Sequence, residues 1–216
     1  MKHTLALAAL PLLLSSCVPW TIRPIDAEKD QSPAGVASNP VNYVDSIWAS
    51  KLVPAVTGNE AVDVRVLLDA LAASPENAKA RYGHRQANGP VYFVVKGEGV
   101  ITAVDVHSHS GLALVDVPPF DRRPDLSIQL GPVLRGTSLR DATGLVQFSD
   151  FVNQLQFADV GNELNDRVLK TVLAPLDKAK LKGSRVSFAG TVAMSDTGDL
   201  LLSELVPVKL VVEASR

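Results

Sequence analysis

Residues 40–83 carry apolar side chains at the spacing of an α-helix. Pro54 should end the first helix and Gly83 the last, because proline lacks a backbone N–H and glycine readily ends a helix. We expect three helices, whose N-caps are Asn39, Asn59 and Ser74. Their apolar stripes are most simply core contacts, with docking of a partner as the alternative. The stripes consist of Val44, Ile47, Trp48, Leu52, Val64, Leu67, Leu68 and Leu71.

From Gly89 onward apolar and polar residues alternate, which is the period of a β-strand. The alternation continues to Val106, and Gly97 and Gly99 can bend this segment into one long, curved strand. Pro118 ends the next strand, because proline cannot donate a ladder hydrogen bond. The further predicted strands are 112–117, 127–130, 185–194 and 200–213, with a turn at 195–198.

One long helix is predicted between the third and fourth strands, over residues 151–173. Asp150 is placed to cap this helix, and Pro175 follows its end. Its inner stripe is expected to comprise Leu155, Val160, Leu164, Val168 and Val172.

The order of these elements predicts an α+β fold. Three strands, a helix and two strands match an OB-like, five-stranded antiparallel barrel with a long helix between strands 3 and 4, here preceded by a small helical segment. Barrel closure removes the exposed edges of a sheet. The alternative is an open antiparallel sheet packed on the long helix, which uses the same elements.

The N-terminal apolar run from Thr4 to Leu14 has the length of a secretory signal and is too short to span a membrane. It ends at Ser15, Ser16 and Cys17, which resemble a bacterial lipobox, the motif where the signal is cut and the cysteine acylated. Cys17 is the only cysteine in the chain. Acylation would cover a thiol that has no disulfide partner. The alternative is an ordinary secretory signal with an accidental cysteine.

The chain therefore divides into three predicted parts: a lipoprotein signal peptide at 1–16, a flexible tether at 17–39 and a single globular domain at 40–213, with a helical preface (40–83) and a β-rich body (89–213). The proline-rich tether would span roughly 25–30 Å as a coil. Packing of part of it on the domain is the alternative. Val18 is not the aspartate associated with retention in the inner membrane, so the outer membrane is favoured.

Composition and charge exclude several classes of partner. The net charge is −2 with both signs interspersed, so nucleic acid and anionic headgroups are poor candidates. No segment after the signal reaches the roughly 20 apolar residues of a transmembrane helix. The expected membrane contact is through the lipid anchor.

Polar side chains bracket the step from the third strand to the long helix. Arginine, carboxylate and amide groups offer the planar hydrogen bonding that a polyhydroxy ligand such as a sugar needs. The alternative is an internal network, Arg140 with Asp141 or Arg135 with Asp150, that caps the helix and fastens a loop. The candidate ligand-binding residues are Gln129, Arg135, Arg140, Asp141, Asn153 and Gln154.

At this block the chain resembles a family of bacterial predicted periplasmic lipoproteins. The resemblance rests on IQLGPVLRGTSLRDA at 128–142 and FSDFVNQLQFADVGNELNDRV at 148–168, and extends over about 51–213. The family is often encoded beside sugar ABC-transporter components, which implies a pathway. The resemblance implies no catalytic residues.

Asp105, His107 and His109 lie two residues apart and would share one strand face, which is a possible start of a metal site. No HExxH motif or cysteine pair supplies further ligands, so solvated hairpin histidines and no bound metal or other cofactor are expected. The chain also lacks a P-loop and a G-x-S-x-G sequence, so we expect no enzyme. A hydrolytic function would require a cleft with a strongly perturbed carboxylate or histidine.

Two functional hypotheses follow. The first is a membrane-anchored, non-catalytic binding or accessory module in sugar uptake, which contacts transporter components or a small polyhydroxy ligand through residues 129–154. The second is an envelope interaction or assembly protein, in which the helical preface docks a partner and the polar block is structural.

Overall fold

The structure is a computed structural model that describes residues 39–86, 89–194 and 203–213. The predicted signal peptide, Cys17, the tether up to residue 38 and the turn predicted at 195–198 lie outside the described residues. Within the described residues, no helix combines the length and apolar character needed to cross a membrane.

The first helix, α1, runs from Pro40 to Ile47 and begins as predicted at Asn39, whose side chain accepts a hydrogen bond of 2.9 Å from the backbone N–H of Val41. The prediction that this helical segment ends at Pro54 was wrong. A π-helical turn at Trp48–Leu52 leads directly into α2, Val53–Thr57. Pro54 lies in the first turn of α2, where a missing backbone N–H costs little.

The next helix, α3, runs from Val64 to Ala73 and is capped by Asp63, so the prediction of Asn59 as its cap was wrong. Residues 62 and 63 form a short strand, β1 (Val62–Asp63), which places Asp63 at the helix start. Ser74 caps α4, Pro75–Tyr82, which ends at Gly83 as predicted.

The strands follow the helices. They are the short β2 (His84–Arg85), then β3 (Val91–Asp105), β4 (Leu112–Asp116), β5 (Leu126–Gln129), β6 (Arg185–Ala193) and β7 (Val206–Glu213). The predicted long strand is confirmed as β3. The last strand was predicted from residue 200, whereas its described part begins at Val206.

The sheet has the order β5-β4-β3-β6-β7, with β1 and β2 paired to the start of β3. One edge of β3 pairs with β4 through residues 100–105, and the other edge pairs with β6 through residues 92–100. The strand therefore passes from one set of neighbours to another along its length. This offset curls the antiparallel sheet into a half-barrel.

The two edges of the curled sheet meet at a parallel bridge between Ile128 and Leu205. The Leu205 N–H donates to the carbonyl of Ser127 at 2.8 Å, and the Gln129 N–H donates to the carbonyl of Leu205 at 2.9 Å. Side chains from helix α3 and from the edges and the centre of the sheet line a small apolar void inside: Val64, Val95, Leu126, Val192 and Leu205. The predicted OB-like α+β fold is confirmed.

Two helices connect β5 to β6: the single turn α5, Ser138–Asp141, and the long α6, Gln154–Val168, which continues as a π-helical turn to Leu173. The predicted cap Asp150 was wrong. Asn153 caps α6, because Asp150 lies in a separate 3-10 turn, Phe148–Asp150, and pairs there with Gln147. Leu155 was also misplaced in the inner stripe, since its side chain is 71% exposed.

The close approach of β6 and β7 depends on a glycine. Opposite Gly190 the pairing register shifts by one residue, and Pro207 enters the strand at this bulge. A Cβ atom at Gly190 would lie 2.3 Å from the carbonyl oxygen of Val206. Only a residue without a side chain fits there.

We therefore expect Gly190→Ala to lower the free energy of unfolding by about 1–3 kcal/mol, because the strands must separate to admit the methyl group. Urea unfolding measures this change. Ser187→Ala, on the same strand, is the control and should be near neutral. Equal stability of the two variants would contradict this account of the bulge.

Candidate functional site

A cavity of about 300 Å³ opens where β5, β6 and the segment before β7 come together. Its residues come from four separate parts of the chain, which the curled sheet brings to one end of the half-barrel. The lining consists of Gln129, Arg135, Gly136, Ser138, Ala193, Met194, Ser203 and Glu204. Two of the six residues predicted for the site, Gln129 and Arg135, belong to this lining.

Gln129, the last residue of β5, joins the two loops at the cavity. Its side chain is 2% exposed. The Gln129 Oε1 accepts from the backbone N–H of Arg135 at 2.7 Å, and Nε2 donates to the carbonyls of Arg135 at 3.2 Å and Glu204 at 3.4 Å. A buried amide with these partners holds the loop backbones at a fixed separation.

The Arg135 guanidinium lies at the rim of the cavity and is held by two other loops. Its Nη2 donates to Glu204 Oε1 at 2.7 Å and to Ser110 Oγ at 2.9 Å. The Arg135 side chain remains 60% exposed, whereas that of Glu204 is 23% exposed. Both bonds use Nη2, and no described residue accepts a hydrogen bond from Nε or Nη1 of Arg135.

Glu204 has a strained backbone, with φ at 41°, in the left-handed region that residues other than glycine rarely adopt. Such a conformation costs on the order of 1–3 kcal/mol and persists where surrounding contacts impose it. Here the contacts are the Leu205 bridge on one side and the Arg135 ion pair on the other. The ion pair with Arg135 keeps the Glu204 carboxylate at the cavity rim.

Arg140 and Asp141 form a buried pair away from the cavity lining. Arg140 Nε and Nη2 donate to the two carboxylate oxygens of Asp141 at 2.7 and 3.0 Å. The Arg140 guanidinium also lies 3.8 Å from the ring centroid of Phe157 and donates to its carbonyl. The pair thus fastens α5 to α6, as the predicted alternative of an internal Arg140–Asp141 network describes.

Two hydroxyl groups complete this network. Thr137 Oγ1 donates to Asp141 Oδ2 at 2.6 Å, and the buried Tyr92 hydroxyl donates to the same oxygen at 3.1 Å. Burial is the main cause that raises the pKa of Tyr92 above its ordinary value, so this hydroxyl keeps its proton and acts as a donor. The other predicted pairing, Arg135 with Asp150, does not form, because Asp150 accepts from the Gln147 N–H.

Asn153 and Gln154 lie at the start of α6 and are not among the residues that line the cavity. The Asn153 side chain accepts from the Gln156 N–H at 2.9 Å, which is the bond of an N-cap. Gln154 is exposed.

The turn that carries His107 and His109 is held by the side chain of Asp105. Asp105 Oδ1 accepts from the backbone N–H groups of His107 and Ser108, and both His107 and His109 are exposed. The bond from the His107 N–H is the main cause that lowers the pKa of Asp105. Within the part of the chain that the structure describes, no group of three metal-ligating side chains comes together.

A larger groove, of about 400 Å³, is lined in part by the cations Arg65, Lys96 and Lys209. Two of these cations already form internal bonds: Arg65 bonds Asp69, and Lys96 Nζ donates to the carbonyl of Gly58 at 2.8 Å. None of the described residues lining this groove has a positive φ. The smaller cavity, with its oriented ion pair, is therefore the candidate site.

Among the polar residues of this site, the sequence analysis missed Ser110, Ser138, Ser203 and Glu204. Ser138 lines the cavity, and its Oγ accepts from Thr191 Oγ1 at 3.0 Å. Ser110 and Glu204 lie far from Arg135 in sequence. Their only signal was their place in the loops between strands 1 and 2 and between strands 4 and 5 of an OB-like order, which are the loops that commonly bind ligands.

Comparison with solved structures supports the fold. An OB-fold protein from Thermotoga maritima is similar to this chain with a TM-score of 0.67 and 25% sequence identity, over 81% of this chain and 98% of its own. A search of curated proteins found no match. Neither comparison indicates a catalytic family.

A family profile described as predicted periplasmic lipoprotein (DUF2291) matches residues 7–211. The matched range includes part of the N-terminal apolar run, Cys17 and every residue that lines the cavity. The family description names a location and a lipid attachment and no activity. By this match, the chain belongs to the DUF2291 family of predicted periplasmic lipoproteins.

Proposed function

We propose that this protein is a lipid-anchored, non-catalytic binding module that faces the periplasm and takes a small polyhydroxy ligand in the cavity beside Arg135 and Glu204. In this proposal it acts as an accessory to ABC-type sugar uptake. The observation that carries the proposal is the Arg135 guanidinium, which Glu204 and Ser110 hold in one orientation through Nη2, while Nε and Nη1 bond to no other described residue.

The chemistry of the rim suits neighbouring hydroxyl groups. The Arg135 guanidinium keeps N–H donors on Nη1, and the adjacent Glu204 carboxylate accepts from a hydroxyl, so a diol can bond to both. The positions of both groups are set before a ligand arrives, which lowers the entropy cost of binding. The cavity, at about 300 Å³, is at the small end of ligand pockets and fits a monosaccharide or polyol better than an oligosaccharide.

Five of the six residues of the predicted site have a role in this proposal. Arg135 contacts the ligand, and Gln129 positions the two loops that carry Arg135 and Glu204. Arg140, Asp141 and Asn153 hold α5 and α6 in place, and Gln154 has no assigned contact. Glu204 forms an ion pair with Arg135, which suits a role in binding. The proposal includes no cofactor.

The N-terminal part of the proposal follows from the family and the sequence. The signal peptide at 1–16 directs export, acylation of Cys17 fixes the protein to a membrane, and residues 17–39 are the tether. Several acyl chains bind a bilayer more firmly than a single chain, since each buried methylene contributes about 0.8 kcal/mol. The outer membrane is favoured because residue 18 is valine.

The second candidate function is an envelope interaction or assembly protein. It is supported by the fact that Gln129, Arg140, Asp141 and Asn153 already use their polar atoms for internal hydrogen bonds. In that case the polar block is structural, and the helices of residues 40–82 dock a partner protein.

Ligand binding is tested by thermal unfolding of the purified protein in a panel of monosaccharides and polyols. A bound ligand raises the unfolding temperature, and Arg135→Ala should weaken its affinity about 10- to 100-fold, since a bond to a charged group is lost. Glu204→Ala should also weaken it, and Arg135→Lys should not restore it. Arg123→Ala, at an exposed arginine elsewhere, is the control.

A flat response of the unmodified protein across the whole panel contradicts direct ligand binding. Crosslinking in cells that recovers an envelope protein unrelated to transport then favours the second function.

Asp141 is expected to affect stability and not ligand binding. Asp141→Asn leaves the buried Arg140 without its full counter-charge, so the free energy of unfolding should fall by about 3–5 kcal/mol. Asp45→Asn, which breaks the more exposed pair with Arg167, should cost less than about 1 kcal/mol. Urea unfolding compares the two. A small effect of Asp141→Asn would show that the network is not structural.

Acylation is tested by mass spectrometry and cell fractionation. The mature chain should begin at Cys17 with acyl groups attached, and Cys17→Ser should move the protein from the membrane fraction to the soluble fraction. A mature protein that still begins with unmodified Met1 would refute the anchor.

A further inference from the structure

An exposed apolar surface lies where the chain enters α6. Phe148, Val152 and Leu155 are 55%, 52% and 71% exposed, and Leu155 is the most exposed large apolar side chain of the described residues. We call these three residues the α6 apolar surface. Exposed apolar groups concentrated within such a short stretch indicate a surface that meets another apolar phase.

The base beneath this surface is rigid. Phe151 is buried, and its ring contacts Tyr43 at 5.1 Å and Phe157 at 5.7 Å between centroids. Phe148 contacts the Phe157 ring edge-on at 5.6 Å. Together with the Asn153 cap, these contacts hold the exposed side chains in a fixed arrangement rather than on a loose loop.

The α6 apolar surface lies close to the point where the chain comes from the membrane. Tyr43, which contacts Phe151, belongs to α1, and α1 begins directly after the tether. As the predicted tether, residues 17–39 would span roughly 25–30 Å. A tether of this length keeps the domain at an effective concentration on the order of millimolar near the bilayer, so a weak contact suffices to hold it there.

The chemistry of the α6 apolar surface fits the apolar part of a lipid layer. Residues 143–166 contain no lysine, arginine or histidine. The charged groups of this segment beside the surface are acidic, Asp150 and Asp159, and the adjoining Arg140, which stacks on Phe157, is paired with Asp141. The segment therefore supplies no unpaired cation for anionic headgroups. Separate apolar side chains that protrude between polar ones, such as Ser149 and Asn153, can insert among headgroups without burying a large flat face.

We propose that Phe148, Val152 and Leu155 are a membrane-docking surface, which inserts into the bilayer interface when the acylated Cys17 holds the protein there. This rests on the lipid anchor of the proposed function. Docking limits the rotation of the domain on its tether and fixes which side of it faces the lipid. Because insertion is apolar, it depends little on salt and does not require anionic lipid.

The test places a fluorophore beside the surface in the full acylated protein. Cys17 is the only cysteine and is blocked when acylated, so Ala158→Cys, at an exposed position one turn along α6 from Leu155, supplies a unique thiol and leaves the surface intact. The labelled protein is reconstituted in phosphatidylcholine vesicles with or without brominated acyl chains. Val66→Cys and Val211→Cys, at 48% and 46% exposure, are the control positions.

The expected result is quenching by brominated lipid at position 158 that is about three times that at positions 66 and 211, and unchanged by salt. Phe148→Ser, Val152→Ser and Leu155→Ser together should abolish the difference. The thermal unfolding of this triple variant is measured to show that it remains folded. Each of the three single variants should also reduce the quenching. If the triple variant is unfolded, the single variants provide the test instead.

Equal quenching at the three labelled positions overturns the docking surface, as expected if the surface binds a protein partner instead. Flotation of the vesicles separates this failure from failure of the anchor. Protein that floats with the vesicles but is not quenched at position 158 refutes docking alone, whereas protein that does not float refutes both.

Discussion

The pairing of β3 with different neighbours along its length is the constraint on which the rest of the structure depends. Its early residues pair with β6 and its late residues with β4, so the sheet cannot remain flat. The resulting curl brings the edges together at Ile128 and Leu205. Residue 204, next to that bridge, is thereby placed within reach of Arg135.

Buried polar side chains must have hydrogen-bond partners within the protein. This requirement determines which polar side chains remain available to contact a ligand. Gln129 and Asp141 are almost completely buried, and each is surrounded by hydrogen-bond partners from distant parts of the chain. An unpaired amide or carboxylate in these positions would be costly, so their bonds are permanent parts of the fold. Arg135 differs because its pairing with Glu204 restrains it at the surface without burying it.

The proposed ligand site and the proposed membrane-docking surface use different parts of the molecule. The cavity is built from the strand ends and loops of the half-barrel, whereas the α6 apolar surface belongs to the helical part that adjoins the tether. In the proposed function, the lipid anchor would supply local concentration and the cavity would supply selectivity. The two properties can therefore be altered independently by substitution.

Much of the fold could be predicted from the sequence, because its signals are local. The caps Asn39 and Ser74, the long strand β3 and the succession of strands along the chain before and after α6 all follow from neighbouring residues, whereas the order of strands within the sheet does not. Local signals were ambiguous at the start of α6, where Asp150 and Asn153 are both good caps. The 3-10 turn that includes Asp150 decided between them. At Pro54 a π-helical turn, which periodicity does not reveal, carried the helix onward.

The candidate site was only partly predictable. The chemistry of residues 129–154 was visible in the sequence, but its division between a cavity and a buried network was not. Glu204 is 69 residues from Arg135, and the closure of the sheet is what makes them partners. The sequence by itself determined the elements, the residue types and the family, since these depend on local pattern. Only the tertiary structure decided which arginine is buried and which is open, because burial and pairing depend on contacts between distant segments.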